Sequence, residues 1–207
     1  MADATFKLLG FGTQFFDANM DGVLELFVAN GHVDDLRQKG KPYAMPPQFF
    51  RQRDGVFQLS EAVHLGDYFQ KNHLGRSVAS LDWNRDGLPD VAVGHLAEPY
   101  ALLTNTSLVT GNGVAVRFVG KTSERDAIGV TVSYQIGGRT MTRQLTAGDG
   151  YQSSNQRQLW LGCGETTRVE SLSIVWPSGK RQTTTNIPVG IRCVIREGDA
   201  GHFELPE

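Results

Sequence analysis

The chain has 207 residues, a formal net charge of −2 and 40% hydrophobic residues, enough for one or two globular domains with real cores. It has no basic block or aromatic–basic stripe to grip nucleic acid, and no apolar stretch near the roughly 20 residues of a membrane-spanning helix. Met1–Lys7 has no apolar core segment, so no secretory signal is visible, and 24 glycines point to many tight turns between short strands.

In chain order, the first feature is a Gly-to-Gly unit, Gly10–Gly31, in which two apolar strands flank an acidic loop. Phe49–Phe57 then reads as a hairpin around Asp54-Gly55, and Leu59–His64 offers at most one helical turn. Gly75–Gly94 repeats the first unit, so that each copy is expected to build a sheet of short strands, the signature of a propeller blade.

The two acidic loops share one pattern, with the second starting 65 residues after the first (Asp82 against Asp17). Loop 1 offers Asp17, Asn19, Asp21, the Val23 carbonyl and Glu25; loop 2 offers Asp82, Asn84, Asp86, the Leu88 carbonyl and Asp90. Oxygen donors at loop positions 1, 3, 5, 7 and 9, with glycine at position 6 (Gly22, Gly87) to permit the sharp turn, suit a hard divalent cation, above all calcium. An EF-hand would need a Glu at position 12 and helices on both sides, but Val28 and Val93 stand there and the flanks read as strands. The alternative is a pair of ordinary Asp/Asn/Gly turns; against it, three carboxylates within nine residues repel one another unless a cation offsets them. Residues 1–109 carry 13 acids against 9 bases, and residues 110–207 carry 9 against 11, so two bound Ca²⁺ would bring the first half near neutrality.

The polar, glycine-containing stretch 105–113 reads as a linker and divides the chain at 109/110. Longer strands are expected after it, at 114–118, 128–134, 139–145, 169–176 and 191–195, with a Gly137-Gly138 hairpin; about six strands would make a small antiparallel sandwich.

Catalytic signatures are missing: no Gly-x-Ser-x-Gly, no His-Glu-x-x-His, no Cys with an evident His partner. His32, His64, His73, His95 and His202 are scattered singly, with His32, after an Asn-Gly turn, read as a satisfied turn or surface histidine. Trp160 and Trp176 read as core, the latter opening a Trp-Pro-Ser-Gly turn, while Trp83 in loop 2 is the aromatic expected at the surface. Gly148–Asn155 fits either a recognition loop or a plain hairpin loop. Cys163 and Cys193 fit one disulfide or two buried thiols, and Asn105-Thr106-Ser107 matches a glycosylation acceptor.

The first half resembles the FG-GAP/VCBS repeats of integrin-type propellers, whose loops of this pattern bind calcium between adjacent strands. The second half resembles the ASPIC/UnbV domain in Asp126-Ala127-Ile128-Gly129, Gly148-Asp149-Gly150-Tyr151-Gln152-Ser153, Leu161-Gly162-Cys163-Gly164 and Trp176-Pro177-Ser178-Gly179. The order of the two, with Asn30-Gly31-His32-Val33 after loop 1, is that of cartilage acidic protein-like proteins. Glu25 departs from the usual Asp, so its carboxylate must fold back or bind in another mode, and Val130 replaces the common Ala.

The expectation is therefore an all-β chain, with a partial β-propeller of about two calcium-loop blades (1–109) followed by an ASPIC/UnbV-like sandwich (110–207). Family propellers close with more blades. The resemblance thus implies the C-terminal part of a longer exported chain, or closure by self-association or by contact with other blades. The implied function is a non-enzymatic, calcium-stabilised recognition or adhesion module outside the cell or in its envelope, with a protein or carbohydrate ligand and two Ca²⁺. A carbohydrate-active enzyme on a propeller scaffold is the alternative, and a scaffold fragment without activity of its own is a third reading.

Overall fold

A computed structural model describes residues 2–107 and 111–206. The first half makes two antiparallel meanders. One sheet orders β1 (Gly10–Phe16), β2 (Glu25–Asn30), β3 (Gln48–Arg53) and β4 (Val56–Leu59); the other orders β5 (Gly75–Leu81), β6 (Asp90–His95) and β7 (Ala101–Leu103). Each acidic loop joins the first strand of its sheet to the second. The first strands match in detail, with a register irregularity between Gly10 and Thr13 in β1 and between Gly75 and Val78 in β5. These are two blades, the second one strand shorter than the first.

Burial explains the sequence pattern of each strand. Every residue of β2 is buried because both faces are covered. Phe27 and Ala29 face the other blade with Phe16, Phe49, Val78, Val91 and Val93, while Leu26 and Val28 pack on the opposite side with Phe50, Ala4 and Phe57. Two short 3-10 turns, Ala62–His64 and Asp67–Gln70, bring Leu65, Tyr68 and Phe69 against the inter-blade cluster. The expected single turn falls on the first of these; the second lacks any periodic signal. The Asp54-Gly55 hairpin forms, with both residues at positive φ (50° and 76°).

The second half is a sandwich of two four-stranded sheets. Its strands are β8 (Asn112–Val119), β9 (Thr131–Ile136), β10 (Arg139–Gln144), β11 (Leu159–Gly164), β12 (Arg168–Val175), β13 (Arg181–Pro188), β14 (Arg192–Arg196) and β15 (Phe203–Glu204), in orders β10-β9-β12-β13 and β11-β8-β14-β15. Inward residues of both sheets, among them Val116, Phe118, Val132, Tyr134, Leu161, Leu172, Ile174, Ile187 and Ile195, form one buried cluster with Trp176 and Val130. The sandwich is antiparallel except that β14 runs parallel to β8, because β14 enters after the chain crosses from the other sheet. There are eight strands rather than about six. β13 gave little sequence signal, since only Thr184 and Ile187 along it are fully buried. Residues 128–130 belong to a turn, with Gly129 at φ 93°. Cys163 and Cys193 are free, buried thiols. Trp176 is core, whereas Trp160 is only half-buried.

The expected boundary at 109/110 lies outside the described residues; on either side of it the two halves are joined by a clamp. The tract that fits a recognition loop or a hairpin loop instead runs along the free edge of β5. Val78 N–H donates to Gly150 O at 2.8 Å, Gln156 N–H to Ser80 O at 2.9 Å, and Ser80 N–H to Asn155 Oδ1 at 2.9 Å; the Ser153 hydroxyl donates to Val78 O at 2.6 Å. Tyr151 stacks edge-on against Phe11 of the first blade at 5.0 Å, and Arg76 lies 4.2 Å over the same ring. Gly150 is at φ 69°, and a Cβ there would collide with Val78 O.

A single buried acid pins the far end of the sandwich. Glu197 Oε2 accepts from the backbone N–H groups of Lys121 (2.8 Å), Thr122 (2.7 Å) and Ser123 (2.7 Å), and Oε1 from the Ser178 hydroxyl. Burial works against its charge, but the Ser178 hydroxyl and these N–H groups outweigh it and hold the carboxyl down to about 2. Because the folded-state value lies below the usual one, its contribution is present above about pH 4.5 and fades as pH falls towards 2. Glu197→Gln is expected to lower the melting temperature by several degrees at pH 7 and to flatten the stability profile between pH 4.5 and 2, read by thermal unfolding across pH. Gly150→Ala should destabilise the chain by more than about 2 kcal/mol in urea unfolding, through strain and collision at the clamp.

Candidate cation sites in the blade loops

The two loops fold alike. In loop 1, Asp17 Oδ2 accepts from Gly22 N–H (2.8 Å), Asn19 Oδ1 from Asp21 N–H (3.2 Å), Asp21 Oδ1 from Val23 N–H (2.7 Å) and Glu25 Oε2 from Ala18 N–H (2.8 Å). In loop 2 the same bonds run from Gly87 N–H to Asp82 Oδ2 (3.2 Å), Asp86 N–H to Asn84 Oδ1 (3.2 Å), Leu88 N–H to Asp86 Oδ1 (2.9 Å) and Trp83 N–H to Asp90 Oδ2 (3.1 Å). Glu25, one methylene longer than Asp90, folds back to the equivalent amide. Positive φ recurs at Met20 (58°) and Gly22 (88°), and at Arg85 (65°) and Gly87 (88°). The glycines at position 6 were legible; the strained position 4 was not.

One atom in each loop has nothing to bond. Asp17 Oδ1 and Asp82 Oδ1 are buried without a hydrogen-bond partner, on side chains whose residues are only 2% and 6% exposed. A buried carboxylate oxygen left in this way is costly. Burial, then the neighbouring Asp21 charge, pushes Asp17 up to about 7; burial, then nearby Asp17 and Asp21, does the same to Glu25, against the pull of Ala18 N–H. Asp82 and Asp90 are also raised, first by burial and further by Asp86. Positive charge nearby favours the ionised form of such acids; Arg143 supplies some of it to Asp17 and Arg192 to Asp82, without cancelling the effect of burial.

The donor set fits a hard cation: each loop offers three carboxylates, an Asn oxygen and a main-chain carbonyl, with no nitrogen or sulfur ligand. Among the described residues no three His, Cys, Asp or Glu side chains form a metal-holding group by themselves. The Asn amides instead bridge within the loops, Asn19 Nδ2 to Asp21 Oδ2 at 2.9 Å and Asn84 Nδ2 to Asp86 Oδ2 at 2.7 Å. Val23 and Leu88 sit half-buried at the turn.

The surroundings of the loops differ. Loop 1 lies beneath the sandwich, which donates to three of its carbonyls: Gly111 N–H to Asn19 O (2.6 Å), Gly164 N–H to Met20 O (3.0 Å) and Arg143 Nη2 to Gly22 O (2.8 Å). Loop 2 exposes Trp83, Asn84, Arg85 and Asp86. Trp83 is exposed as expected, its indole N–H donating to Thr104 Oγ1 at 3.0 Å, although Phe6 and Tyr100 are more exposed still.

Asn105, read from the sequence as a glycosylation acceptor and as the start of the linker, ties the loops together. Its N–H donates to Asp90 Oδ1 (2.7 Å) and its side-chain amide to Ala18 O (2.7 Å) and Pro89 O (3.2 Å). A glycan on that nitrogen would remove a donor already in use. Nor are all the histidines isolated. The rings of His73 and His95 lie 5.1 Å apart around Tyr68, whose hydroxyl meets His95 Nε2 at 2.9 Å, while His73 Nδ1 meets Glu98 Oε2 at 3.1 Å. His95 Nδ1 faces Pro99 O at 2.7 Å and His73 Nε2 faces Tyr68 O at 3.1 Å, so this cluster is internally satisfied. His32 is a turn residue, Nδ1 accepting from Asp34 N–H at 3.1 Å.

No helix among the described residues is long and apolar enough to cross a membrane. No curated protein matches the chain. Two family models do: the FG-GAP-like repeat over residues 17–93, which spans both acidic loops, and "ASPIC and UnbV" over residues 120–202, which spans most of the sandwich. The chain joins an FG-GAP-like repeat segment of propeller type to an ASPIC/UnbV domain, in that order.

Proposed function

We propose that this chain is a non-enzymatic recognition or adhesion module of an extracellular or cell-envelope protein, stabilised by one Ca²⁺ in each blade loop. The observation that carries the cation reading is the unpartnered, buried Oδ1 of the first aspartate, repeated in both loops. FG-GAP-like repeats are typical of extracellular proteins, which supports the location. Each loop spans the first two strands of its blade, so an ion there would lock those strands to each other and hold the surrounding loops for a protein or carbohydrate ligand. Its role is structural: it offsets the repulsion of three carboxylates and adds RT ln(1 + [L]/Kd), roughly 2.7 kcal/mol per site at a hundredfold excess over Kd. In a longer propeller protein the exposed apolar side chains of the first blade, Phe15, Val56 and Leu59, would meet a further blade.

Calorimetric titration of metal-free protein with CaCl₂ should find two sites, and Asp21→Ala or Asp86→Ala should each leave one. Each variant should lose thermal stability relative to the unsubstituted chain in calcium. In EDTA the three proteins should melt within about a degree or two of one another. Equal losses with and without calcium, or no heat of binding, would contradict the reading.

A further inference from the structure

The two loops share a backbone but not an environment. Loop 1 is pressed into a face of the sandwich where three residues lack side chains. A Cβ on Gly111 would land on Met20 O, one on Gly113 on the Met20 side chain, and one on Gly162 on Asp17 Oδ2, with Gly22 N only 2.8 Å away. None of the three has a positive φ, so their backbones do not demand glycine; the nearness of loop 1 does. At loop 2 the second half instead supplies one bond, Gln156 Oε1 accepting from Asp82 N–H at 2.7 Å, and the turn itself is open, with nothing within 4 Å of a Cβ on Gly87.

The contact falls on the ligand set itself. Gly162 touches the carboxylate whose other oxygen is buried and unpartnered. Around it, Gly111 N–H, Gly164 N–H and the Arg143 guanidinium take the carbonyls of Asn19, Met20 and Gly22, which follow Asp17 in the loop. Three consecutive kinds of restraint, steric fit, main-chain bonds and a guanidinium, thus set the shape of loop 1 from the other half of the chain.

We propose that cation site 1 is shared by both halves: the glycine-lined face of the ASPIC/UnbV domain positions Asp17 and the loop-1 backbone for the ion, so that ion binding and seating of that face are coupled, while loop 2 has no such glycine-lined seat and does not respond to it. The proposal rests on the calcium reading above. Gly162 is a positioning residue, acting through Asp17 rather than on the ion. Coupling is reciprocal, so whatever unseats the domain weakens site 1, and an ion in site 1 tightens the seat by the same factor.

The test uses the full chain and CaCl₂, with Asp86→Ala isolating site 1 and Asp21→Ala isolating site 2. Adding Gly162→Ala should weaken calcium binding at isolated site 1 roughly 10- to 100-fold, the usual range for a lost supporting residue, and leave isolated site 2 unchanged. Equal weakening of both sites, or of neither, overturns the proposal while the calcium reading stands. If neither isolated site binds calcium, both fall. Should Gly162→Ala fail to fold, hydrogen exchange decides. Calcium should slow exchange at residues 111–113 and 162–164 in Asp86→Ala but not in Asp21→Ala, and the same response in both variants overturns the coupling.

Discussion

Asp17 follows β1 inside the protein with one oxygen capped by Gly22 N–H and the other facing no donor, and Asp82 does the same after β5 with Gly87 N–H. Much of the first half is arranged round that constraint. The glycine at position 6 and the left-handed residue at position 4 bend the loop so that its amides reach the carboxylates; the ninth residue reaches back to the second. The main chain satisfies one oxygen of Asp17, Asp21, Glu25, Asp82 and Asp86 and both oxygens of Asp90, and it leaves Oδ1 of Asp17 and of Asp82 without a partner. Carboxylates this close along the chain repel one another, and a cation beside them would offset that repulsion.

The two halves are assembled on the same features. One junction seats glycines of β8 and β11 against loop 1; the other lays residues 150–156 along the free edge of β5 and onto Asp82, the first residue of loop 2. Asn105 bridges the loops from the segment that leaves the last blade strand. The strand edge that a lone blade would leave open is thus covered by the sandwich. The conspicuous ASPIC/UnbV stretches, Gly148–Ser153 and Leu161–Gly164, are where this docking happens, and Trp176–Gly179 with Glu197 closes the opposite end.

What could be read beforehand follows from range. The loops, their glycines, the Asp54-Gly55 and Gly137-Gly138 hairpins and the buried Trp176 are local patterns whose chemistry lies within a few residues, and they were legible. The all-β architecture and the two-part order followed from the spacing of such patterns. The glycine socket was not visible, because Gly111, Gly113 and Gly162 are ordinary strand or turn glycines until Met20 and Asp17 are set against them. Glu197, Asn105 and the His73–His95 pair were missed for the same reason, their partners being 15 to 87 positions away in most cases. β13 escaped because its inward positions are few, and the parallel β8–β14 pair because a crossover between sheets leaves no local mark.

The central claim is that each blade loop holds one calcium ion between its carboxylates. It is tested most directly by crystals of the full chain grown in calcium, with anomalous scattering recorded and repeated after exchange for manganese. The account predicts two peaks, one within coordination distance of Asp17 Oδ1 and one of Asp82 Oδ1, at the 2.3–2.6 Å typical of calcium–oxygen bonds. Loops that keep Asp17 Oδ1 and Asp82 Oδ1 without an ion at saturating calcium would contradict it.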